Sequence, residues 1–225
     1  MKTILTVKQL NKNYKQQTIL NNINFDVYLG ETLGIIGHNG AGKSTLLNCI
    51  SKVIPVDSGQ IIWALDHPNL YEKIGVHRQM NHFETNASVK DIIKLYLSIT
   101  NKRLDMVEYL KPYGLETHLN SEVSLLSFGE RQKLTLALAL IHDPEILILD
   151  EMTTGVDVMS KNSLWEHIER IKAKRGLTVI LVTHDTEEIN KYADRVMILK
   201  HGEIVDFRPV AAFENLEKIY IQLHQ

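Results

Sequence analysis

The chain has 225 residues, 44% hydrophobic and 23% charged, ordinary values for a globular domain long enough to bury a real core. A net charge of −2 and a pI near 6.6 give no bulk electrostatic reason to expect nucleic acid as a partner. A single cysteine excludes an internal disulfide and suits a reducing cytosol, and no window of about 18 apolar residues is present to span a membrane.

The first residues, Met1 to Val7, alternate like a strand and are too short and polar for a secretory leader. Residues 3–10 and 18–28 alternate apolar with polar (Ile19, Ile23, Phe25, Val27), which predicts an antiparallel strand pair with Tyr14 between them. A short buried strand is expected at 33–37 and a helix at 43–52, closed by Pro55 and the turn Asp57-Ser58-Gly59. Strands follow at 60–65 and 73–77. From about 84 to 140 the pattern turns helical, with Val89, Ile92, Ile93, Tyr96 and Leu97 at helical spacing and a helix at 129–141. Beyond it come a strand at 145–150, a helix at 159–174, a strand at 178–183, a helix at 186–193, strands at 195–199 and 203–207, and a terminal helix from about 211. This alternation predicts an α/β protein with a mainly parallel sheet, an N-terminal antiparallel β subdomain and a helical insertion. The division is 1–83 with 141–225 as one α/β core and 84–140 as a helical subdomain.

Between the strand at 33–37 and the helix at 43–52 runs Gly37-His38-Asn39-Gly40-Ala41-Gly42-Lys43-Ser44-Thr45, which reads G-x-x-x-x-G-K-S. Strand, glycine loop and helix form the context of a phosphate-binding P-loop. The glycines let successive N–H groups converge on one concavity, and the helix N-terminus adds partial positive charge there. Gly37, Asn39, Gly40, Ala41, Gly42, Lys43, Ser44 and Thr45 therefore form the expected polyphosphate cradle. Lys43 should reach the β- and γ-phosphates and the Ser44 hydroxyl should ligate Mg²⁺. His38 occupies a variable position and is expected to point outward.

The strand Ile146-Leu147-Ile148-Leu149 ends in Asp150-Glu151. Carboxylates at the C-terminal end of a parallel strand face the crevice where such sheets bind ligands. Asp150 is the expected holder of Mg²⁺ beside Ser44, and Glu151 the group that faces the attacking water. His77 and His82 invite a metal reading, but no cysteine or further ligand accompanies them.

Leu126-Ser127-Phe128-Gly129-Glu130-Arg131-Gln132 resembles the L-S-G-G-Q signature of ABC ATPases. His184, after the strand Val179 to Thr183, resembles that family's switch histidine, Gln79 its Q-loop glutamine and Tyr14 its adenine-stacking aromatic. Thr154-Gly155-Val156-Asp157 is similar to its D-loop. The motifs run in family order from about residue 14 to 202, nearly the whole chain. Two positions depart from the pattern: Phe128 stands for the first signature glycine and Glu130 for the glutamine.

The resemblance implies an ATP- and Mg²⁺-dependent ATPase in which two such domains pair head to tail around two ATP molecules. Ser127, Gly129 and Glu130 would then lie at the nucleotide held by the partner, and Asp157 at the seam. Glu151 and His184 would act on the water and γ-phosphate, and Gln79 would sense Mg²⁺ and nucleotide. The wording Glu151-Met152-Thr153-Thr154-Gly155-Val156-Asp157 resembles bacterial exporters of the ABC-2 type. Separate multispanning permease subunits would dock near Gln79 and residues 84–125, placing the chain on the inner face of the cell membrane. A soluble ABC ATPase serving iron–sulfur cluster assembly would use the same catalytic residues.

Overall fold

The apolar runs become strands, and the computed structural model of the chain describes residues 1–65, 70–78, 86–100 and 102–224. In chain order the strands are β1 (Thr3–Tyr14), β2 (Gln17–Tyr28), β3 (Thr32–Ile36), β4 (Ser58–Trp63), β5 (Ile74–His77), β6 (Ile146–Asp150), β7 (Thr178–Val182), β8 (Arg195–Lys200) and β9 (Glu203–Pro209). The helices are α1 (Lys43–Ile50), α2 (Val89–Thr100), α3 (Met106–Leu110), α4 (Phe128–Leu140), α5 (Val158–Arg175), α6 (Thr186–Tyr192) and α7 (Leu216–His224). The chain divides into two compact units, one of Met1–Asp66, Ile148–Asp150 and Thr178–Gln225, the other of His67–Leu147 and Glu151–Leu177.

In the first unit, alternation in β1 turns Leu5 and Val7 to the interior, a register shift between Val7 and Leu10 brings Leu10 in as well, and β1 takes antiparallel partners on both sides in the order β2-β1-β4. The register pairs Val7 with Phe25 on β2 and with Ile61 on β4. The expected strand pair is thus a three-stranded sheet, because the run after the Asp57-Ser58-Gly59 turn returns along β1. The second sheet of this unit is ordered β6-β7-β3-β8-β9, with Ile148–Asp150 contributing from β6. All five residues of β3 are buried, as befits a central strand with parallel neighbours on both edges, β7 and β8. β8 and β9 form a hairpin whose two loop residues, His201 and Gly202, have φ of 49° and 78°, as a type I′ turn requires.

One half-buried cation ties this unit together. Arg195 Nη1 lies 3.3 and 3.4 Å from the two carboxylate oxygens of Glu31 and donates to the Asp26 carbonyl at 3.2 Å. Its guanidinium stacks against the rings of Phe207 (4.2 Å) and Tyr28 (4.9 Å). Glu31 also accepts the Tyr28 N–H at 2.7 Å. Burial pushes its carboxyl pKa up, against the pull of that N–H and of Arg195.

The second unit is built on α4, whose Leu134, Leu136, Ala137 and Leu138 are all buried. Gly75 of β5 lets the two backbones approach: a Cβ there would come within 2.1 Å of the Ala139 carbonyl oxygen. Tyr109 on α3 donates to the Ala137 carbonyl at 2.5 Å, and His167 on α5 meets the Tyr113 hydroxyl at 3.0 Å. Asp143, at the turn before β6, is held by both Lys102 and Arg175. This unit takes in β5, the first residues of β6 and α5 as well as the 84–140 segment. The terminal helix begins at Leu216 rather than near 211, since a 3-10 turn at Val210–Ala212 intervenes and Asn215 caps the helix through the Lys218 N–H at 2.8 Å.

Removing Arg195 leaves the buried Glu31 without its countercharge, so Arg195→Ala should cost about 3 kcal/mol in urea unfolding at pH 7. Burial raises the folded-state pKa of Glu31, so folding takes up a proton there and the ionised form is the destabilised one. The deficit of the variant should therefore shrink as pH falls through that raised pKa; a deficit independent of pH would refute the assignment.

Candidate nucleotide site

The first unit gathers one part of the expected site at the C-terminal edge of its parallel strands. β3 ends at Ile36 and α1 begins at Lys43, so residues 37–42 form the loop between them. Gly42, the residue before α1, has φ of 104°, and a Cβ there would meet Leu20 Cδ2 at 2.8 Å and the Ile19 carbonyl oxygen at 2.9 Å. Only glycine satisfies both the left-handed backbone and the close approach. The Ala41 N–H donates to the His38 carbonyl at 3.0 Å, and the Gly202 N–H to the Ala41 carbonyl at 3.0 Å, which anchors the loop to the β8–β9 hairpin.

Lys43 is buried and curls back into the loop, its Nζ donating to the Gly37 carbonyl at 2.7 Å and the His38 carbonyl at 3.1 Å. This holds the ammonium within the loop that leads into α1, whose first turn no side chain caps. Asn39, Gly40 and Ser44 are exposed along the same loop, Thr45 is half-buried, and Ala41 is buried. His38 is exposed, as expected, and its ring lies 5.9 Å from that of Tyr220 on α7.

The neighbouring strands deliver the other groups of this unit. β7 runs parallel to β3, with the Thr183 N–H bonded to the Ile35 carbonyl at 3.3 Å, and so brings exposed His184 out at the same edge. Thr183 Oγ1 accepts the Asp185 N–H at 3.1 Å, and Asp185 in turn caps α6 through the Glu187 and Glu188 N–H groups at 2.9 and 3.2 Å. That turn fixes the backbone on both sides of His184. β6, next to β7, ends at the half-buried carboxylate of Asp150. A hydroxyl at Ser44 and a carboxylate at Asp150 are hard oxygen donors, the set that suits Mg²⁺. Tyr14 closes β1 with about half its surface exposed (49%), and Lys12 Nζ lies 5.6 Å from its ring centroid.

The second unit carries the rest. Glu151, the residue after Asp150, has φ of 49°, an uncommon backbone for a residue with a side chain. Thr154 Oγ1 lies 3.4 Å from Glu151 Oε2, and the Thr154 N–H donates to the Glu151 carbonyl at 3.2 Å. Asp157 caps α5 through the Ser160 N–H at 3.0 Å, and that hydrogen bond holds its carboxyl below the usual range. Ser127 caps α4: its Oγ accepts the Glu130 N–H at 3.2 Å, while the Glu130 carboxylate accepts the Ser127 N–H at 2.8 Å. This reciprocal capping box leaves the Ser127 hydroxyl proton able to donate. Glu130, predicted to bind the cofactor, is thus already engaged as a cap. The Ser127 N–H lowers its pKa, and His118 Nε2 lies 3.3 Å from its other oxygen. Gly129 sits in the first turn of α4, where a Cβ would meet nothing within 4 Å. Gln79 lies outside the described residues, as does His82.

Sequence reasoning missed the capping box, although S-x-x-E before an apolar run is its signature. It also missed the seating of the Phe128 ring against Gly155: a Cβ on Gly155 would lie 3.0 Å from Phe128 Cε1. The aromatic side chain at a position expected to hold glycine was the available signal.

Residues 20–154 match the ABC transporter family. The chain is 34% identical to a Nod factor export ATP-binding protein of Bradyrhizobium diazoefficiens, over 91% of its own length and 70% of the relative's. It is also 34% identical to a methionine import ATP-binding protein of Listeria monocytogenes, over 88% of its length and 63% of the relative's. Among solved structures, a dimeric bacterial ABC transporter cassette superposes with a TM-score of 0.82 at 27% identity, covering 93% of this chain and all (100%) of that one. The same cassette bound to ADP and Pi in a post-hydrolysis state also superposes at 0.82, with 25% identity and the same coverage. The chain belongs to the ABC transporter family, as one of its ATP-binding, ATP-hydrolysing cassettes.

Proposed function

We propose that two such cassettes close head to tail around two ATP molecules, and that hydrolysis reopens them to drive export through separate membrane subunits. The observation that carries this reading is the loop around Lys43 at one strand edge with Asp150 and His184. The Lys43 ammonium exchanges loop carbonyls for phosphate oxygens, the backbone N–H groups of residues 39–45 and the α1 N-terminus hold the remaining charge, and Tyr14 offers its exposed ring to the adenine. Ser44 and Asp150 would hold Mg²⁺, which would supply positive charge to neutralise the phosphates. Glu151 orients the attacking water and takes its proton, and His184 hydrogen-bonds the γ-phosphate. Ser127 donates its hydroxyl proton to the γ-phosphate carried by the partner cassette, with the Gly129 N–H beside it at the α4 N-terminus. Asp157 borders the seam between cassettes, and Gln79 reports the nucleotide state to the membrane subunits.

Export is supported by the sequence from Glu151 to Asp157 and by the 34% identity to a Nod factor export protein. Import is the second reading, favoured by equal identity to a methionine import protein. No helix among the described residues is long and apolar enough to cross a membrane. We place the chain against the inner face of the cell membrane, docked through residues 84–125. Affinity purification from native membranes should retain multispanning proteins; recovery of soluble assembly factors alone would turn the assignment toward a non-transport ATPase.

Three substitutions separate the roles. Glu151→Gln should lower steady-state phosphate release about a hundredfold or more while preserving ATP-driven dimerisation in size-exclusion chromatography. Lys43→Ala should weaken ATP binding by tenfold or more, roughly the worth of a charge-assisted hydrogen bond, as read by fluorescent-nucleotide titration. Glu130→Gln keeps the α4 cap, since glutamine also accepts from an N-cap N–H, but removes a negative charge from the anion-facing end of the helix. ATP-dependent dimerisation of the Glu151→Gln protein should therefore tighten about two- to fivefold when Glu130→Gln is added.

A further inference from the structure

We propose that Phe128 is a positioning residue for Glu151, acting through Gly155 and the Thr154 hydroxyl. The inference rests on the reading of Glu151 as the group that aligns the attacking water. Phe128 is the first residue of α4, directly after the Ser127 cap, so its Cα is fixed by the capping box. Its side chain leaves the helix toward the loop 151–157, and 46% of its surface remains exposed. Its ring lies close enough to Gly155 that a Cβ there would find Cε1 at 3.0 Å, Cδ1 at 3.4 Å and Cζ at 3.7 Å. Gly155 has φ of 73°, a backbone that favours glycine, and a Cβ added there would press on the ring.

The contact is transmitted along a short, internally bonded loop. The Val156 N–H donates to the Thr153 carbonyl at 3.1 Å, and the Thr154 N–H to the Glu151 carbonyl at 3.2 Å, so residues 151–156 form two consecutive turns. Thr154, immediately before Gly155, directs its hydroxyl to the Glu151 carboxylate at 3.4 Å. That distance is at the long limit of a hydrogen bond, so a small displacement of the loop decides whether it forms. At the other end, Asp157 fixes the loop to α5 by its cap. Glu151 itself starts from a positive φ, which the loop must hold in place. The Phe128 ring closes the open side of this loop at Gly155, a residue that has no side chain of its own to pack.

Glycine at the signature position leaves that side uncovered; phenylalanine supplies the contact from within the same chain. Truncating it frees Gly155 and Thr154 and lets the Glu151 carboxylate wander from the water it aligns, a loss of orientation rather than of binding. A half-exposed ring contributes little to global stability, which separates the two roles.

The test is steady-state ATPase kinetics on Phe128→Ala, Phe128→Tyr, Thr154→Val and the Phe128→Ala/Thr154→Val double variant, with melting temperatures. Expected results are a roughly tenfold lower kcat for Phe128→Ala with KM for ATP within about twofold and an essentially unchanged Tm, and recovery with Phe128→Tyr, which keeps the ring. Thr154→Val should lower kcat similarly, and the double variant should be no worse than the poorer single one, because both act on one path. Wild-type kcat in Phe128→Ala, additive losses in the double variant, or a kcat loss that tracks Tm and is not restored by tyrosine would each overturn the proposal. So would weaker ATP-driven dimerisation when Phe128→Ala is added to Glu151→Gln, which would make the ring a partner contact. Glu151→Gln, assayed in parallel, separates the two levels: if it retains turnover, the role of Glu151 fails and this inference with it. If it is inactive while Phe128→Ala is normal, only this inference fails.

Discussion

Everything in the nucleotide-binding half depends on β3 being a central strand with parallel neighbours. Its five residues are buried, β7 and β8 pair with it on either side, and the chain must therefore leave it at one edge, over the ends of the strands. There the backbone turns through glycines into α1, whose N-terminus carries partial positive charge. A buried lysine among loop carbonyls, at the start of a helix, is a site already arranged for a polyanion. The hairpin at Gly202 and the residues Ile19 and Leu20 brace the loop from outside, so the cradle is formed by the fold and not by the ligand.

The two ends of the machinery use helix caps as their common device. Ser127 with Glu130, Asp157 with Ser160, and Asp185 with Glu187 and Glu188 each place a side chain at the start of a helix beside a residue assigned to the reaction. A cap fixes backbone direction at low cost, since it satisfies donors that the helix leaves orphaned. In α4 the cap has a consequence for charge. Glutamate at the third helical position completes the box, and it also brings a carboxylate to the end of the helix proposed to face the partner's phosphate. Phe128 and Glu130, the two departures from the family's glycine and glutamine, thus both find structural work in the loop and cap around them.

Arg195 plays the corresponding part in the frame. Between Tyr28 and Phe207 and against Glu31 and the Asp26 carbonyl, it joins β2 of the antiparallel sheet to β8 and β9 of the parallel one. A guanidinium suits that place because its planar faces stack while its edge donates. The ion pair holds sheet against sheet and takes no part in the proposed chemistry.

The sequence by itself determined the local features. Alternation marked β1 and β2, continuous apolar runs marked β3, β6 and β7, and glycine spacing with lysine marked the phosphate loop, because each depends on neighbours within a few residues. Tyr14, Asp150, Glu151, Ser127, Asp157 and His184 were legible as an ordered set of motifs. Only the tertiary structure decided that β4 returns as a third strand beside β1, that α7 starts at Leu216 and lays Tyr220 near His38, and that the Phe128 ring covers Gly155. Those are contacts between segments far apart in the chain or across a turn. Side-chain packing sets them, and no periodicity within one segment records which partner it will meet.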